Sequence, residues 1–460
     1  MTDPYLDQLA TYLGRQRWFA GKDRAFSVTG LISLPPVNTD PLLVIELAKV
    51  AYEGGGPAET YQVPTLYSAE VEPGMDHALI GIRELNGKPR SAYDAAHAKT
   101  AAQLLLRAFR DQHHDHVSFV TIQGAELPDE SAQGSMMTAE QSNTSIAYGN
   151  DALLKIFRRV SDGRNPDVDI HHSLTVGGSE HVAPLLGWYE GSWSDEGEQR
   201  ATHLGMLQAF LRTATDGWYQ AEASVRDFLV DERGRPSQAG GDFAGEAERL
   251  GEATAQVHAD LADAFGTVEW GAEAVERVVD TMIQRVERTI SDVSALTPHR
   301  DEIFRVFETA RTIPTPVLAQ RIHGDLHLGQ TLRTVKGWKF IDFEGEPNRP
   351  LAERSAPDSP MRDVAGMLRS FDYAAGAART QFSEGDHLVA LANAWTARNQ
   401  RAFLRGYSAT SNLDLDALQP LLRAYEVDKA VYEVGYESGN RPTWVPIPLH
   451  AIEQIATEVA

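Results

Sequence analysis

The sequence predicts an α+β protein of two lobes, a strand-rich small lobe and a helix-rich large lobe, opening with a mixed α/β unit. Three observations carry this expectation. Before residue 212, apolar and β-branched runs recur at strand length between turn-forming residues. After residue 212, long stretches carry apolar residues at helical spacing. Between residues 317 and 344 that helical pattern is interrupted by VLAQRIH and KGWKFIDFE, which read as strands around a loop. The expected divisions are 1–90 for the opening α/β unit, 91–211 for the small lobe and 212–460 for the large lobe.

Each element follows from its own pattern. A short helix is expected from Tyr5 to Gly14. LLVIELAKVAY (42–52) and ETYQVPTLYSAEV (59–71) read as strands about the turn Glu53-Gly54-Gly55-Gly56-Pro57. HALIGIREL (77–85) is a third strand, closed by Asn86-Gly87-Lys88-Pro89, and 91–115 reads as a helix. SIAYGNDALLKIFRRV folds into a hairpin about Gly149-Asn150. HVAPLLGWYE and THLGMLQAFL form another strand pair. Helices are expected over 245–265, 273–290, 386–408 and 417–438.

Composition narrows the partners. The 460 residues carry 65 acids against 42 basic residues, a formal net charge of −23. Such a field repels nucleic acid and anionic lipid, so neither is expected as a partner. The absence of cysteine excludes disulfides, thiolate metal sites and cysteine nucleophiles. MTDPYLDQLATYLG lacks the basic and apolar regions of a secretory leader, and no apolar run reaches the roughly 18 residues needed to span a bilayer. A cytoplasmic location is the expectation.

The stretch RIHGDLHLGQ (321–330) concentrates the chemistry. Phosphoryl transfer needs a carboxylate to orient the acceptor hydroxyl and take its proton, ligands for a phosphate-bridging metal, and a cation on the phosphates. Asp325 is followed five positions later by Gln330, and a Lys336-Gly337 turn leads to the strand KFIDFEGEP with Asp342. This order matches the catalytic loop and metal acid of protein kinases, with Gln330 and Asp342 as hard ligands suited to Mg²⁺. Lys155, in LLKIF, is a lysine within an apolar strand and needs a partner, for which Asp167 and Asp169 are candidates. The polar run Gln141, Ser142, Asn143, Thr144 and Ser145 is placed to cover phosphates. A competing reading makes His323 and His327 metal ligands in H-x-D-x-H, as in a metal hydrolase. With no third cluster to complete that site, both histidines are expected to brace the loop.

HGDLHLGQ with IDFEGEP resembles the aminoglycoside-phosphotransferase and choline-kinase branch of the eukaryotic-like kinases. RQRWFAGK (15–22), AEQSNTS (139–145), LLKIFRRVSDGRNPD (153–167), AGGDFAGE (239–246), APDSPMRDVAGMLRSFDYAA (356–375) and AYEVDKAVYEVGYES (424–438) narrow the resemblance to the actinobacterial maltokinases. It spans almost the whole chain. It implies a bilobal protein-kinase-like fold with an N-terminal cap. It also implies ATP-dependent phosphorylation of maltose to maltose 1-phosphate, a donor for α-glucan and glycogen synthesis. Asp325 would be the base, Gln330 and Asp342 the Mg²⁺ ligands and Lys155 the phosphate lysine. Met206-Leu207-Gln208-Ala209-Phe210 would read adenine through its backbone, with Met206 and Gln208 at the nucleotide. The chain departs from the family at the acidic partner of the lysine, where the matching residue is Asp169 in place of Glu. Gln330 replaces the Asn of the wider branch, as in maltokinases. The cap could dock an enzyme that makes maltose.

A sugar site needs aromatic faces beside groups that bond hydroxyls. Lys429, Tyr432 and Tyr436 fall at i, i+3 and i+7 on one helix, followed by Arg441 and Trp444, with Tyr373 a further candidate. These are the expected substrate-binding residues beside Asp325. Two other readings stay open: a kinase for glucosamine, an aminoglycoside or choline, and a kinase-like protein without activity that binds a partner.

Overall fold

Two blocks of strand-forming sequence, each with its own apolar face, dictate the first half of the molecule. The structure is a computed structural model and describes residues 3–137, 142–195, 197–230, 237, 241–346, 349–382 and 386–459. The chain divides into two compact units, Met1–Thr175 with Ala183–Arg212, and Val176–Val182 with Thr213–Ala460.

In the first unit, helix α1 (Pro4–Leu13) starts where the Asp3 carboxylate accepts the Tyr5 N–H at 3.0 Å, with proline in its first turn. Strands β1 (Phe26–Ser33), β2 (Asn38–Thr39), β3 (Leu42–Tyr52), β4 (Glu59–Ser68), β5 (Leu79–Leu85) and β6 (Lys88–Asp94) follow. They form an antiparallel sheet ordered β1-β3-β4-β6-β5, with β2 paired to β3. The run LLVIELAKVAY is almost continuously apolar because β3 is buried on both faces. One face meets Tyr5, Leu9 and Leu13 of α1, and the other joins the core of the second sheet.

The helix expected over 91–115 is corrected here. Residues 88–94 are β6, whose Tyr93 pairs with Leu66 and Leu79, and helix α2 spans only Lys99–Arg110. It ends at Asp111 before Gln112, which takes a positive φ of 46°.

The second sheet comprises β7 (Val117–Thr121), β8 (Gly134–Met136), β9 (Thr144–Tyr148), β10 (Ala152–Ile156), β12 (Leu185–Asp195) and β13 (Glu198–Ala209), in the order β7-β12-β13-β10-β9-β8. Just after β10 the chain crosses over, and β11 (Arg159–Val160) pairs with β4 of the first sheet. Helix α3 (Pro166–Val176) follows.

A buried polar network accompanies that crossover. Arg158 is wholly enclosed, pairs with Asp94 at 2.8 Å, and donates from Nε to the Thr144 hydroxyl at 2.8 Å. Its guanidinium lies 4.4 Å from the centre of the Trp18 ring. Asp94 also accepts from the Tyr12 hydroxyl at 3.0 Å. The buried Gln62 amide donates to the carbonyls of Phe157 and Leu204, each at 2.7 Å, and accepts from the Tyr189 hydroxyl at 2.9 Å.

The second unit is mainly helical. Its elements are β14 (Thr215–Asp216), α4 (Gly217–Leu229), α5 (Ala244–Phe265), β15 (Thr267–Trp270), α6 (Ala272–Asp292), α7 (Arg300–Ala310), β16 (Val317–Gln320), β17 (Thr331–Thr334), β18 (Gly337–Phe340), α8 (Leu351–Arg354), α9 (Met361–Arg379), α10 (Asp386–Thr410), α11 (Leu415–Asn440) and α12 (Pro446–Val459). Helix α9 packs against α4, α10, α11 and α12 and is buried around most of its circumference. The small sheet β14-β17-β18 carries the loop around Asp325. Among the described residues, no helix is long and apolar enough to cross a membrane.

Candidate active site

The loop from β16 to β17 has few ladder bonds of its own and is tied down by side chains. Asp363, buried near the start of α9, accepts the N–H of His323 at 2.7 Å and of Gly324 at 2.8 Å. His258 holds the same carboxylate at 3.1 Å. Burial works against the charge on Asp363, but His258 and the Gly324 N–H outweigh it, and the carboxyl stays below the usual aspartate range. The Leu328 N–H is bound by the Ser370 hydroxyl at 2.9 Å. Two glycines are structurally required. Gly324 adopts φ +85°, and a Cβ on Gly366 would overlap the Leu326 carbonyl oxygen.

His323 and His327 both bond the loop backbone. His323 reaches the Ile341 carbonyl through Nε2 at 2.9 Å and receives the Asp325 N–H on Nδ1 at 3.4 Å. His327 accepts the Gly329 N–H on Nδ1 at 3.1 Å. Burial pushes the His327 imidazole toward its neutral form, so its proton resides on Nε2. Three of the four ring nitrogens are thus taken by backbone groups, which weakens the transition-metal reading.

Gln330 and Asp342 come together although twelve residues separate them. The β17–β18 hairpin folds the chain back, and the Gln330 amide donates to Asp342 at 3.1 Å. Asp342 has a positive φ of 66°, costly for a residue with a side chain and tolerated where the surroundings fix it. The pair offers an amide oxygen and a carboxylate, half-buried. That donor set fits a hard divalent cation such as Mg²⁺.

Asp325 opens onto a pocket of about 280 Å³. Its wall brings in residues of α6, α9 and α11 and the segment after β18, among them Arg285, Glu346, Arg362, Asp428, Lys429 and Tyr432. Lys429 donates to Asp325 at 2.9 Å and to Glu346 at 3.0 Å. Glu346 is also held by Arg349 at 2.8 Å and Arg362 at 3.3 Å, and Arg285 binds Asp428 at 2.5 and 3.1 Å. Burial raises the Asp325 carboxyl, but the Lys429 ammonium and His327 more than reverse this and hold it below the usual value. Glu346 is brought down to about 2, the three cations overcoming its burial. Lys429 is raised, because the two carboxylates outweigh its own burial.

In the first unit, Lys155 sits on β10 and pairs with Asp167 at 2.8 Å. This corrects the expectation of Asp169. Asp167 lies on the buried side of α3, whereas Asp169, two residues on, turns about 200° away and binds Arg164 at 2.7 Å. Lys155 and His171 hold the Asp167 carboxyl low against its burial.

The adenine-reading segment is also corrected. Met206 and Leu207 lie inside β13, which is paired on both sides, to β10 and to β12. Their backbone polar groups belong to the ladders. Gln208 remains of interest: its amide oxygen is buried and has no hydrogen-bond partner among the described residues. Of the phosphate-covering run, Gln141 lies outside the described residues. Ser142 and Asn143 precede β9, and Thr144 and Ser145 are within it. The Thr144 hydroxyl is bonded by Arg158, which gives that residue a structural task.

The expected sugar-binding residues divide into two groups. Lys429 and Tyr432 line the Asp325 pocket, with Tyr432 43% exposed. Tyr373, Arg441 and Trp444 gather instead around Glu437. Arg441 binds that carboxylate and stacks on Trp444 at 4.1 Å, the Tyr373 and Trp444 rings are 6.2 Å apart, and the Tyr373 hydroxyl donates to Glu437 at 3.4 Å. None of these three, nor Tyr436, lines the pocket. The sequence reading missed Glu346, Asp363, Asp428 and the arginines. The signals lay close by: Glu346 is the third acid of IDFEGEP, Arg362 and Asp363 fall within APDSPMRDVAGMLRSFDYAA, and Asp428 precedes Lys429 in AYEVDKAVYEVGYES.

Comparison with known proteins adds to this geometry. Residues 12–97 match the maltokinase N-terminal cap domain family. A glucosamine kinase from Streptacidiphilus jiangxiensis is 29% identical over 334 residues, covering 67% of this chain and 70% of that protein. One from Mycolicibacterium smegmatis is 27% identical over 334 residues, covering 70% and 79%. Crystal form B of a glucosamine kinase superposes with a TM-score of 0.69 at 22% identity, over 98% of this chain and 99% of the other. A glucosamine kinase complexed with glucosamine, ADP and inorganic phosphate gives 0.66 at 21% identity, over 99% and 100%. At these identities the structural likeness establishes the fold.

Proposed function

We propose that the chain, whose residues 12–97 match the maltokinase N-terminal cap domain family and which resembles glucosamine kinases in sequence and fold, is a sugar kinase that transfers the γ-phosphoryl group of ATP to the anomeric hydroxyl of maltose. The product is maltose 1-phosphate, suited to α-glucan and glycogen synthesis. The observation that carries the reading is the arrangement in the second unit. A half-buried, ionised Asp325 stands in a sugar-sized pocket, and the same hairpin brings Gln330 to Asp342.

Asp325 orients the acceptor hydroxyl and takes its proton as the O–P bond forms. Gln330 and Asp342 would hold Mg²⁺, which would supply positive charge against the phosphates. Lys155, fixed by Asp167, directs its ammonium to the phosphates, and the Gln208 amide oxygen accepts from the adenine amino group. Tyr432 offers an exposed ring for the apolar face of a pyranose. Tyr436, Arg441, Trp444 and Tyr373 extend the sugar surface beyond the pocket.

A second reading, a glucosamine kinase, draws support from the names of the curated relatives. ATP- and Mg²⁺-dependent turnover across maltose, glucose, glucosamine, an aminoglycoside and choline, with products identified by phosphorus NMR, separates the two. Anomeric phosphorylation of maltose alone supports the first reading. Turnover of glucosamine in its place establishes the second. No turnover with ATP still bound removes both.

A further inference from the structure

The pocket that holds Asp325 is lined by more basic than acidic side chains. Five basic side chains, Arg285, Arg288, Arg349, Arg362 and Lys429, line it against three acids, Asp325, Glu346 and Asp428. Each acid already has a cation. Asp428 has Arg285, Glu346 has Lys429, Arg349 and Arg362, and Asp325 has Lys429. An acceptor bearing an ammonium group would enter a wall richer in positive charge than in negative. Among the described residues, it would meet no pocket carboxylate still lacking a counter-ion.

Lys429 is the member of this set that pairs with two of the pocket acids. It reaches in from α11, and its ammonium bridges Asp325 and Glu346 at 2.9 and 3.0 Å. The other cations of Glu346 come from different segments, Arg349 before α8 and Arg362 on α9. Asp325, by contrast, has Lys429 as its one ion-pair partner among the described residues. Without Lys429, the most reactive carboxylate of the pocket would face the acceptor with its charge uncompensated.

We propose that Lys429 is the specificity-determining residue that restricts this site to uncharged acceptors, its ammonium occupying the place between Asp325 and Glu346 that an acceptor ammonium would otherwise fill. The inference rests on the sugar-kinase reading and deepens it. It makes the acceptor class a property of one internal counter-ion. Lys429 acts here by excluding a competing charge, and its bond to Asp325 leaves the second carboxylate oxygen to meet the acceptor hydroxyl.

The test is kcat and KM for maltose and for glucosamine in the full chain, its Lys429→Met variant and its Lys429→Arg variant. Methionine keeps the length and apolar stem while removing the charge. The unsubstituted chain should favour maltose. In Lys429→Met the ratio of kcat/KM for glucosamine over maltose should rise about tenfold or more, chiefly through a lower KM for glucosamine. That gain should fade as pH rises and the acceptor amine loses its proton, a dependence that a merely structural lysine would not create. Lys429→Arg should restore the preference for maltose and, by folding, show that the position tolerates substitution.

A proportional loss on both acceptors in Lys429→Met, with thermal unfolding unchanged, overturns the inference and leaves the sugar-kinase reading standing. So does an unsubstituted chain that already prefers glucosamine. If the unsubstituted chain phosphorylates neither sugar, the functional reading itself fails and takes this inference with it.

Discussion

Lys155 and Asp167 stand 2.8 Å apart with the carboxylate wholly buried, while Asp169 is turned outward to an arginine on the surface. Two acids, two residues apart on one helix, thus have different consequences. Removing the charge of Asp167 leaves a buried ammonium with one fewer counter-charge. Removing that of Asp169 breaks a largely solvated pair.

The first prediction follows directly. Asp167→Asn should raise the KM for ATP at least about tenfold and destabilise the protein by about 3 kcal/mol, the scale of a broken buried pair. Asp169→Asn should leave KM within about twofold and stability within about 1 kcal/mol. ATP titrations and thermal melts of both variants decide it, and equal effects would deny Asp167 its role.

Asp325→Asn should lower kcat by about 10²- to 10⁴-fold, the usual contribution of a positioned general base. Nucleotide affinity, read by calorimetry, should stay within about twofold. A large loss of nucleotide binding would place Asp325 at the phosphates and not at the acceptor.

Arg158 and Asp94 should behave as a coupled pair. Arg158→Met strands the Asp94 carboxylate and should cost about 3–5 kcal/mol, as should Asp94→Asn. The double variant should cost less than the two single losses combined, because neither charge is then left alone. Additive losses in chemical denaturation would show that the pair is not energetically linked.

Glu426 supplies a pH prediction. Burial pushes this carboxyl up to about 7, and Arg423 at 2.8 Å only partly offsets it. Between the ordinary glutamate range and pH 7, the folded chain holds a proton that the unfolded chain releases. Stability from this group is therefore fully present at low pH and is lost as pH rises toward 7. Glu426→Gln lacks that loss. Relative to the unsubstituted protein it should gain up to about 3 kcal/mol across the window and change no further above it. Urea denaturation at a series of pH values would reveal a flat difference if the carboxyl ionises normally.

How legible was all this in the chain itself? The contact of Gln330 with Asp342 could be read because one hairpin carries it, so spacing along the sequence translates into proximity. The strand LLVIELAKVAY announced itself through unbroken apolar character. Helix α9 did not, since burial on nearly all sides blurs the periodicity that marks a helix. The choice between Asp167 and Asp169 turns on which face of α3 is buried, which spacing from a lysine on another element does not reveal. Met206 lies in the expected strand THLGMLQAFL, but that this strand is paired on both sides, leaving no free backbone there to read a base, comes only from the sheet order. The counter-ions of Asp325 and Asp428 come from α11 and α6, far away in sequence, and only tertiary packing brings them in.

Gln62 bonds the carbonyls of Phe157 and Leu204 with one amide group and is held in place by Tyr189. The cap and the strands it bonds are therefore joined by buried polar groups that neither segment can satisfy alone. A recombination event that imported a foreign cap would orphan two carbonyls and a guanidinium at once.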